Sequence, residues 1–98
     1  MSSQANSYGK GFVFRLFVAG NEPHSQAAQA NLKKLCESCL NIPLEIEIVD
    51  VLESHELALK YRIFLTPALI RVTPEPQVTI FGDLSDQQKV IKALYTEG

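Results

Sequence analysis

Phe12-Val13-Phe14-Arg15-Leu16-Phe17-Val18-Ala19-Gly20-Asn21-Glu22-Pro23-His24-Ser25 runs from a short apolar stretch into a dense cluster of turn residues, and its reading decides the fold. Only Arg15 interrupts the apolar part, which is the pattern of a strand covered on both faces; it is predicted to be the central strand of a sheet. Gly20 to Pro23 turns the chain, and Pro23 or a neighbour opens a helix, whose first-turn N–H groups have no intrahelical partner in any case. The helix is predicted to run to about Leu40. Ala28, Leu32, Leu35, Cys36, Cys39 and Leu40 recur at i, i+4, i+7 and i+8 spacing on one buried stripe, while Gln29, Lys33, Lys34, Glu37 and Ser38 fall elsewhere. Asn41-Ile42-Pro43 stops it. Leu44-Glu45-Ile46-Glu47-Ile48 then alternates as a strand with one solvated face. Strand, helix and strand in that order make a right-handed βαβ unit with parallel strands, since the connection is a helical crossover and not a hairpin.

The second half carries weaker signals. Ser54 is predicted to cap a short helix with Leu57, Ala58, Tyr61, Phe64 and Leu65 at helical spacing. Thr66-Pro67 precedes a strand over Ala68 to Val72, and Pro74-Glu75-Pro76 separates it from Val78 to Phe81, as in a hairpin. Gly82-Asp83-Leu84 ends that hairpin. Ser85 with Gln88 three residues on reads as a capping box for a last helix carrying Val90, Ile91 and Leu94. The order βαβαββα is thioredoxin-like, and Pro67 stands where such α/β folds carry a cis proline. One domain is expected over residues 11–98, preceded by a flexible N-terminus over residues 1–10.

Composition narrows the function classes. The 98-residue chain is 46% hydrophobic and 20% charged with a formal net charge of -2, which supports a packed core and gives no electrostatic case for nucleic acid. No apolar run reaches the roughly 20 residues of a membrane span, and Met1 to Gly11 lacks the regions of a signal peptide, so a cytoplasmic protein is expected. Cysteines only three positions apart could not staple distant parts of a fold.

The Cys36-Glu37-Ser38-Cys39 spacing resembles a redox dithiol, but such a pair works with its first sulfur at a helix N-terminus, where N–H groups and the macrodipole stabilise the thiolate. Here that place holds Asn21 to Ser25, and the cysteines fall near the helix C-terminus, pointing inward as small hydrophobes. Ser25 reads as a helix cap and not as a nucleophile. His24 and His55 do not converge with the cysteines on a zinc pattern, so no metal is expected. Glu45 and Glu47 lie side by side on the exposed face of the second strand, with no apolar pocket to raise a pKa; if they act, they form an acidic edge for a partner. Gly20 and Gly82 belong to no phosphate-cradling loop, and no cofactor is expected.

Four collinear strings carry a more specific resemblance: Leu16 to Ser25, Ile48-Val49-Asp50-Val51-Leu52, Leu65-Thr66-Pro67-Ala68-Leu69, and Phe81-Gly82-Asp83-Leu84-Ser85-Asp86. Together, over Phe12 to Tyr95, they resemble the KaiB family of circadian clock proteins. The resemblance implies a non-enzymatic adaptor that binds the ATPase KaiC, captures KaiA and competes with the histidine kinase SasA. It also implies fold switching between a homotetramer, or dimer, of βαββααβ arrangement and a thioredoxin-like monomer. The first half is common to both states and the part from about Val51 is rebuilt, with Pro67, Gly82, Asp83, Ala93 and Tyr95 in the switching region. Ala93 and Tyr95 replace the glycine and aspartate usual in the last helix, and alanine favours a helix interior over glycine by up to about 1 kcal/mol. Basic residues usual in the family are replaced at Ala27, Glu47, Val78 and Thr79, whereas Arg62 and Arg71 keep a positive charge, so Arg62, Arg71, Glu45 and Glu47 are the candidate partner contacts. Two alternatives stand beside this one: an interaction protein of a stress-response or two-component pathway without a clock, and a thiol-disulfide oxidoreductase using Cys36 and Cys39.

Overall fold

The computed structural model describes residues 11–38 and 44–95; the predicted flexible segment 1–10, Cys39 and Leu40 at the predicted helix end, and the breaker Asn41-Ile42-Pro43 lie outside them. Seven elements follow one another as β1 (Phe12–Val18), α1 (Pro23–Ser38), β2 (Leu44–Asp50), α2 (His55–Lys60), β3 (Ala68–Thr73), β4 (Val78–Phe81) and α3 (Gln87–Leu94), the predicted βαβαββα order. The strands form one sheet in the order β2-β1-β3-β4. β1 pairs in parallel with β2, Leu16 opposite Ile48. On its other side β1 pairs antiparallel with β3, Leu16 opposite Leu69, and β3 turns back on β4 with Leu69 opposite Ile80.

β1 is covered on both faces, as its apolar run requires. Phe14, Leu16 and Val18 pack with Ala28, Leu32 and Leu35 of α1, Leu69 of β3, and Val90 and Leu94 of α3. Phe17 points the other way and joins Val49, Ala58, Ile63, Ala68 and Ile70 under α2. Full burial of side chains such as Phe14 and Leu16 contributes about 1.5–3 kcal/mol each before the entropy of ordering them is set against it.

β2 keeps its predicted alternation but is solvated on both sides: Ile46 and Ile48 are 36% and 46% exposed. The reason is topological. β2 is an edge strand, and the apolar stripe of α1 packs over β1 and β3 instead of over that edge.

The helix ends differ from expectation. Ser25 does not cap α1; Glu22 does, its Oε1 accepting the Ser25 N–H at 2.9 Å. Ser25 is buried, and its Oγ accepts the Ala19 N–H at 3.1 Å, tying the turn to the helix. Ser54 precedes α2 but makes no capping bond. The cap of α3 is Asp86, not Ser85: Asp86 Oδ1 accepts the Lys89 N–H at 3.2 Å. At α1 the acceptor is a glutamate three residues before the predicted cap, and at α3 an aspartate one residue after it, each placed by the backbone path to reach an orphan donor.

α2 also ends earlier than its apolar spacing suggests. The Ile63 N–H donates to the Ala58 carbonyl at 2.8 Å and the Arg62 N–H to the Leu59 carbonyl at 3.0 Å. This is a Schellman turn, and it places Arg62 in the left-handed region at φ 57°. Phe64 and Leu65 therefore lie outside the helix, at 76% and 67% exposure. Leu84 is also left-handed, at φ 64°, a conformation costing roughly 1–2 kcal/mol for a residue with a Cβ. Its side chain is buried in the α1–α3 core, which offsets that cost.

Arg71 is enclosed on the α3 side of β3, only 2% exposed. Its Nη1 donates to the Leu94 carbonyl at 2.5 Å and its Nη2 to the Pro76 carbonyl at 2.8 Å. The guanidinium thus joins the C-terminal end of α3, where a cation suits the helix dipole, to the β3–β4 turn. Arg71→Met is expected to destabilise the protein by about 2–4 kcal/mol in chemical denaturation, with Arg71→Lys intermediate, because buried carbonyls lose a charged donor. A loss below about 0.5 kcal/mol would contradict this role.

Candidate functional site

The C-terminal ends of β1, β2 and β4 and the N-terminal end of β3 meet at one end of the sheet, as the pairs Val18–Asp50, Phe17–Ala68 and Ala68–Phe81 require. The connections that emerge there carry the start of α1, the Arg62–Pro67 segment and the Gly82–Leu84 turn.

Those connections are held by a short set of bonds. Asp50 Oδ1 accepts the Gly20 N–H at 3.2 Å and the Leu52 N–H at 2.9 Å, fixing the two turns that leave β1 and β2. Gly20 sits at φ 54°, and a Cβ there would lie 3.2 Å from Leu52 Cδ1, so a side chain would be both strained and tight. The Gly82 N–H donates to the Pro67 carbonyl at 3.0 Å. Asn31 Nδ2 of α1 donates to the Asp83 carbonyl at 2.8 Å. The Thr66–Pro67 bond is cis, as predicted, and so are Thr73–Pro74 and Glu75–Pro76.

Two carboxylates at this end carry lowered pKa values. Loss of water around the Glu22 carboxyl pushes it up, but hydrogen bonds from Ser25 and the His24 backbone, with the charge of His24, outweigh that and hold it below the ordinary value. Hydrogen bonds from the Ser85 side chain and backbone lower Asp83, and His24 adds to the effect.

The redox dithiol finds no support in the placement of Cys36. Its thiol is half-buried against the α1–α3 core, and burial, followed by the Glu37 charge, pushes its pKa up. A thiol shifted in that direction is a poorer nucleophile at neutral pH. Cys39 lies outside the described residues. Ser25 Oγ is turned inward, and among the described residues no group of three His, Cys, Asp or Glu side chains could hold a metal ion.

The candidate partner residues do not form one patch. Arg62 is exposed on the turn after α2, whereas Arg71 is enclosed as described. Glu45 is exposed on the β2 edge. Glu47, 52% exposed, accepts from Arg15 Nε at 2.8 Å. Of the residues assigned to switching, Pro67, Gly82 and Asp83 come together through the bonds above. Ala93 is half-buried in α3, and Tyr95 follows that helix as its C-cap, its ring 5.7 Å from Phe12 at the far end of β1.

Sequence reading missed an apolar rim. Leu52, Phe64, Leu65 and Phe81 are 63%, 76%, 67% and 53% exposed at the ends of β2, β3 and β4. The signal available was their position beside turn residues, at or beyond the strand ends, where no neighbouring element covers a large apolar side chain.

The chain has relatives in sequence and neighbours in fold. The KaiB domain matches residues 15–95. The chain is 40% identical over 82 residues to the circadian clock protein KaiB3 of Synechocystis, covering 84% of this chain and 80% of that one. It is 39% identical over 89 residues to the circadian clock oscillator protein KaiB of Gloeothece citriformis, covering 91% and 84%. Among solved structures, the N-terminal domain of Synechococcus elongatus SasA superposes with a TM-score of 0.72 at 26% identity, covering 91% and 89%. The Drosophila melanogaster thioredoxin Deadhead superposes with a TM-score of 0.72 at 13% identity over 94% and 88%, which shows the shared fold.

The lowered carboxylates set a pH dependence. A folded-state value below the unfolded one gives stabilisation that is complete above the unfolded pKa and is lost as pH falls through the folded one. Glu22→Gln is therefore expected to be less stable than the parent at pH 7, with the difference shrinking as pH falls below the ordinary carboxylate range, measured by thermal unfolding. A difference that does not change with pH would refute the charge-assisted cap. By its matched domain, its clock-protein relatives and its thioredoxin-like fold, the chain belongs to the KaiB family.

Proposed function

We propose that the chain is a cytoplasmic, non-enzymatic timing adaptor that binds a KaiC-type ATPase and competes with or recruits SasA- or KaiA-type partners. The observation that carries this reading is the likeness to the N-terminal domain of SasA, TM-score 0.72, in a KaiB-family chain whose fold is thioredoxin-like. A KaiB-type adaptor and a SasA-type kinase that share a fold would compete for one ATPase surface.

The end of the sheet that displays Arg62 beside Phe64 and Leu65 suits that contact: exposed apolar side chains supply area, and the cation supplies specificity. Arg71 serves it indirectly by holding α3. The β2 edge, with Glu45 exposed and one side of the strand unpaired among the described residues, is open to a second partner, but Glu47, at a position usually basic in the family, counts against the usual KaiA-type contact there. The carboxylates of that edge, one of them at a position usually basic in the family, favour a second reading, in which a two-component or stress-response kinase takes the place of the clock partners. In either reading the chain exchanges, by fold switching, with a βαββααβ homotetramer or dimer, and Ala93 in α3 biases that exchange toward the thioredoxin-like monomer.

Size-exclusion chromatography and titration with the cognate ATPase and ATP test the proposal. The parent is expected to co-elute with the ATPase, Arg62→Glu to bind about tenfold more weakly or worse, and Lys33→Glu on α1 to bind like the parent. Absence of binding by the parent would remove the proposal, and equal loss in both variants would remove the assigned surface.

A further inference from the structure

Arg15, the one charged residue in β1, explains how that strand tolerates it. It lies on the same face as Phe17, two residues on, and its guanidinium spans from the β2 edge to the end of α2. Nε donates to Glu47 Oε1 at 2.8 Å. Nη1 donates to the Tyr61 hydroxyl. The guanidinium carbon also lies 5.2 Å from the centre of the Tyr61 ring. The ring in turn packs on Phe17, with centroids 5.8 Å apart, and Lys60 approaches it at 5.9 Å. A planar fork with an ion pair at one end and a phenol at the other is fixed in direction, which a lysine ammonium would not be.

Tyr61 is the C-cap of α2 and directly precedes left-handed Arg62. Whatever fixes Tyr61 therefore fixes the Schellman turn and the segment Arg62 to Leu65 that follows. We propose that Arg15, held by Glu47, is the positioning residue for that segment: a carboxylate on the β2 edge sets, through Arg15 and Tyr61, the geometry in which Arg62, Phe64 and Leu65 are displayed. Glu47 then acts through Arg15 and not as a free acidic contact. A cationic partner strand at the β2 edge would compete with Arg15 for Glu47 and so loosen the displayed segment, linking the two surfaces. The consequence for binding rests on the reading that this segment meets the ATPase.

Amide hydrogen exchange of the free full chain, followed by titration with the ATPase, tests both parts separately. Glu47→Gln removes the ion pair, and Tyr61→Phe removes only the hydroxyl while keeping the ring, so the milder variant remains informative if the other folds poorly. Each is expected to raise exchange at the Arg62 and Ile63 amides about threefold to tenfold, with the α3-end amides of Val90 and Tyr95 changing less than about twofold. The double variant is expected to show no more than the larger single effect, because both substitutions break one chain of contacts. Unchanged exchange at Arg62 and Ile63, or a uniform rise across α2 and α3, would overturn the positioning role. Faster local exchange with unaltered binding by an ATPase that the parent binds would overturn its relevance to recognition while leaving the adaptor function intact. If the parent binds no ATPase, the adaptor reading fails, and the exchange result still decides whether Arg15 positions the segment.

Discussion

The antiparallel pairing of β1 with β3, Leu16 opposite Leu69, joins two halves that are otherwise local structures. The β1-α1-β2 half folds on contacts within about 40 residues of sequence, as a βαβ unit does. The β3-β4 hairpin has no core of its own, and its inner face closes only when Leu69 and Ile80 lie beside Leu16 beneath α1 and α3. Long-range pairing of this kind is the costly step in chain entropy, and it fixes where the connections at the candidate end of the sheet emerge.

Three arginines then divide the work of the surface. Arg71 is enclosed and closes the C-terminal helix over the sheet through two carbonyls. Arg15 is half-buried and spans the β2 edge and the end of α2. Arg62 is exposed on a left-handed turn, with apolar Phe64 and Leu65 beside it. The chemical group is the same in all three, and burial and partner geometry decide whether it holds the fold, orients a loop or faces solvent.

Much of this was legible in the sequence where a pattern reports a local cause. The apolar run of β1, the stripe of α1 and the hairpin around Pro74-Glu75-Pro76 follow from side-chain periodicity, and the topology follows from their order. Caps were less legible: Glu22, Ser25, Ser85 and Asp86 all carry oxygens near a helix start, and only the backbone path selects the one that reaches the donor. The end of α2 was illegible for a similar reason, since Phe64 and Leu65 keep helical spacing while the Schellman turn at Arg62 sends the chain elsewhere. The burial of Arg71 could have been read: period-2 alternation places it on the face of Leu69, toward the core. What the alternation lacked was a partner, because the Leu94 carbonyl is 23 residues away in sequence.

A thioredoxin-like scaffold without a thiol at the start of its first helix displays instead an apolar rim, a cation and fixed turns, the features on which the proposed recognition would draw. In the proposed function the βαβαββα arrangement is the one that binds. The direct measurement is backbone NMR of isotope-labelled chain bound to the cognate ATPase. Helical secondary shifts over Gln87–Leu94, together with cross-strand contacts between Leu16 and Leu69, are the predicted result; extended shifts over Gln87–Leu94 in the complex would contradict it.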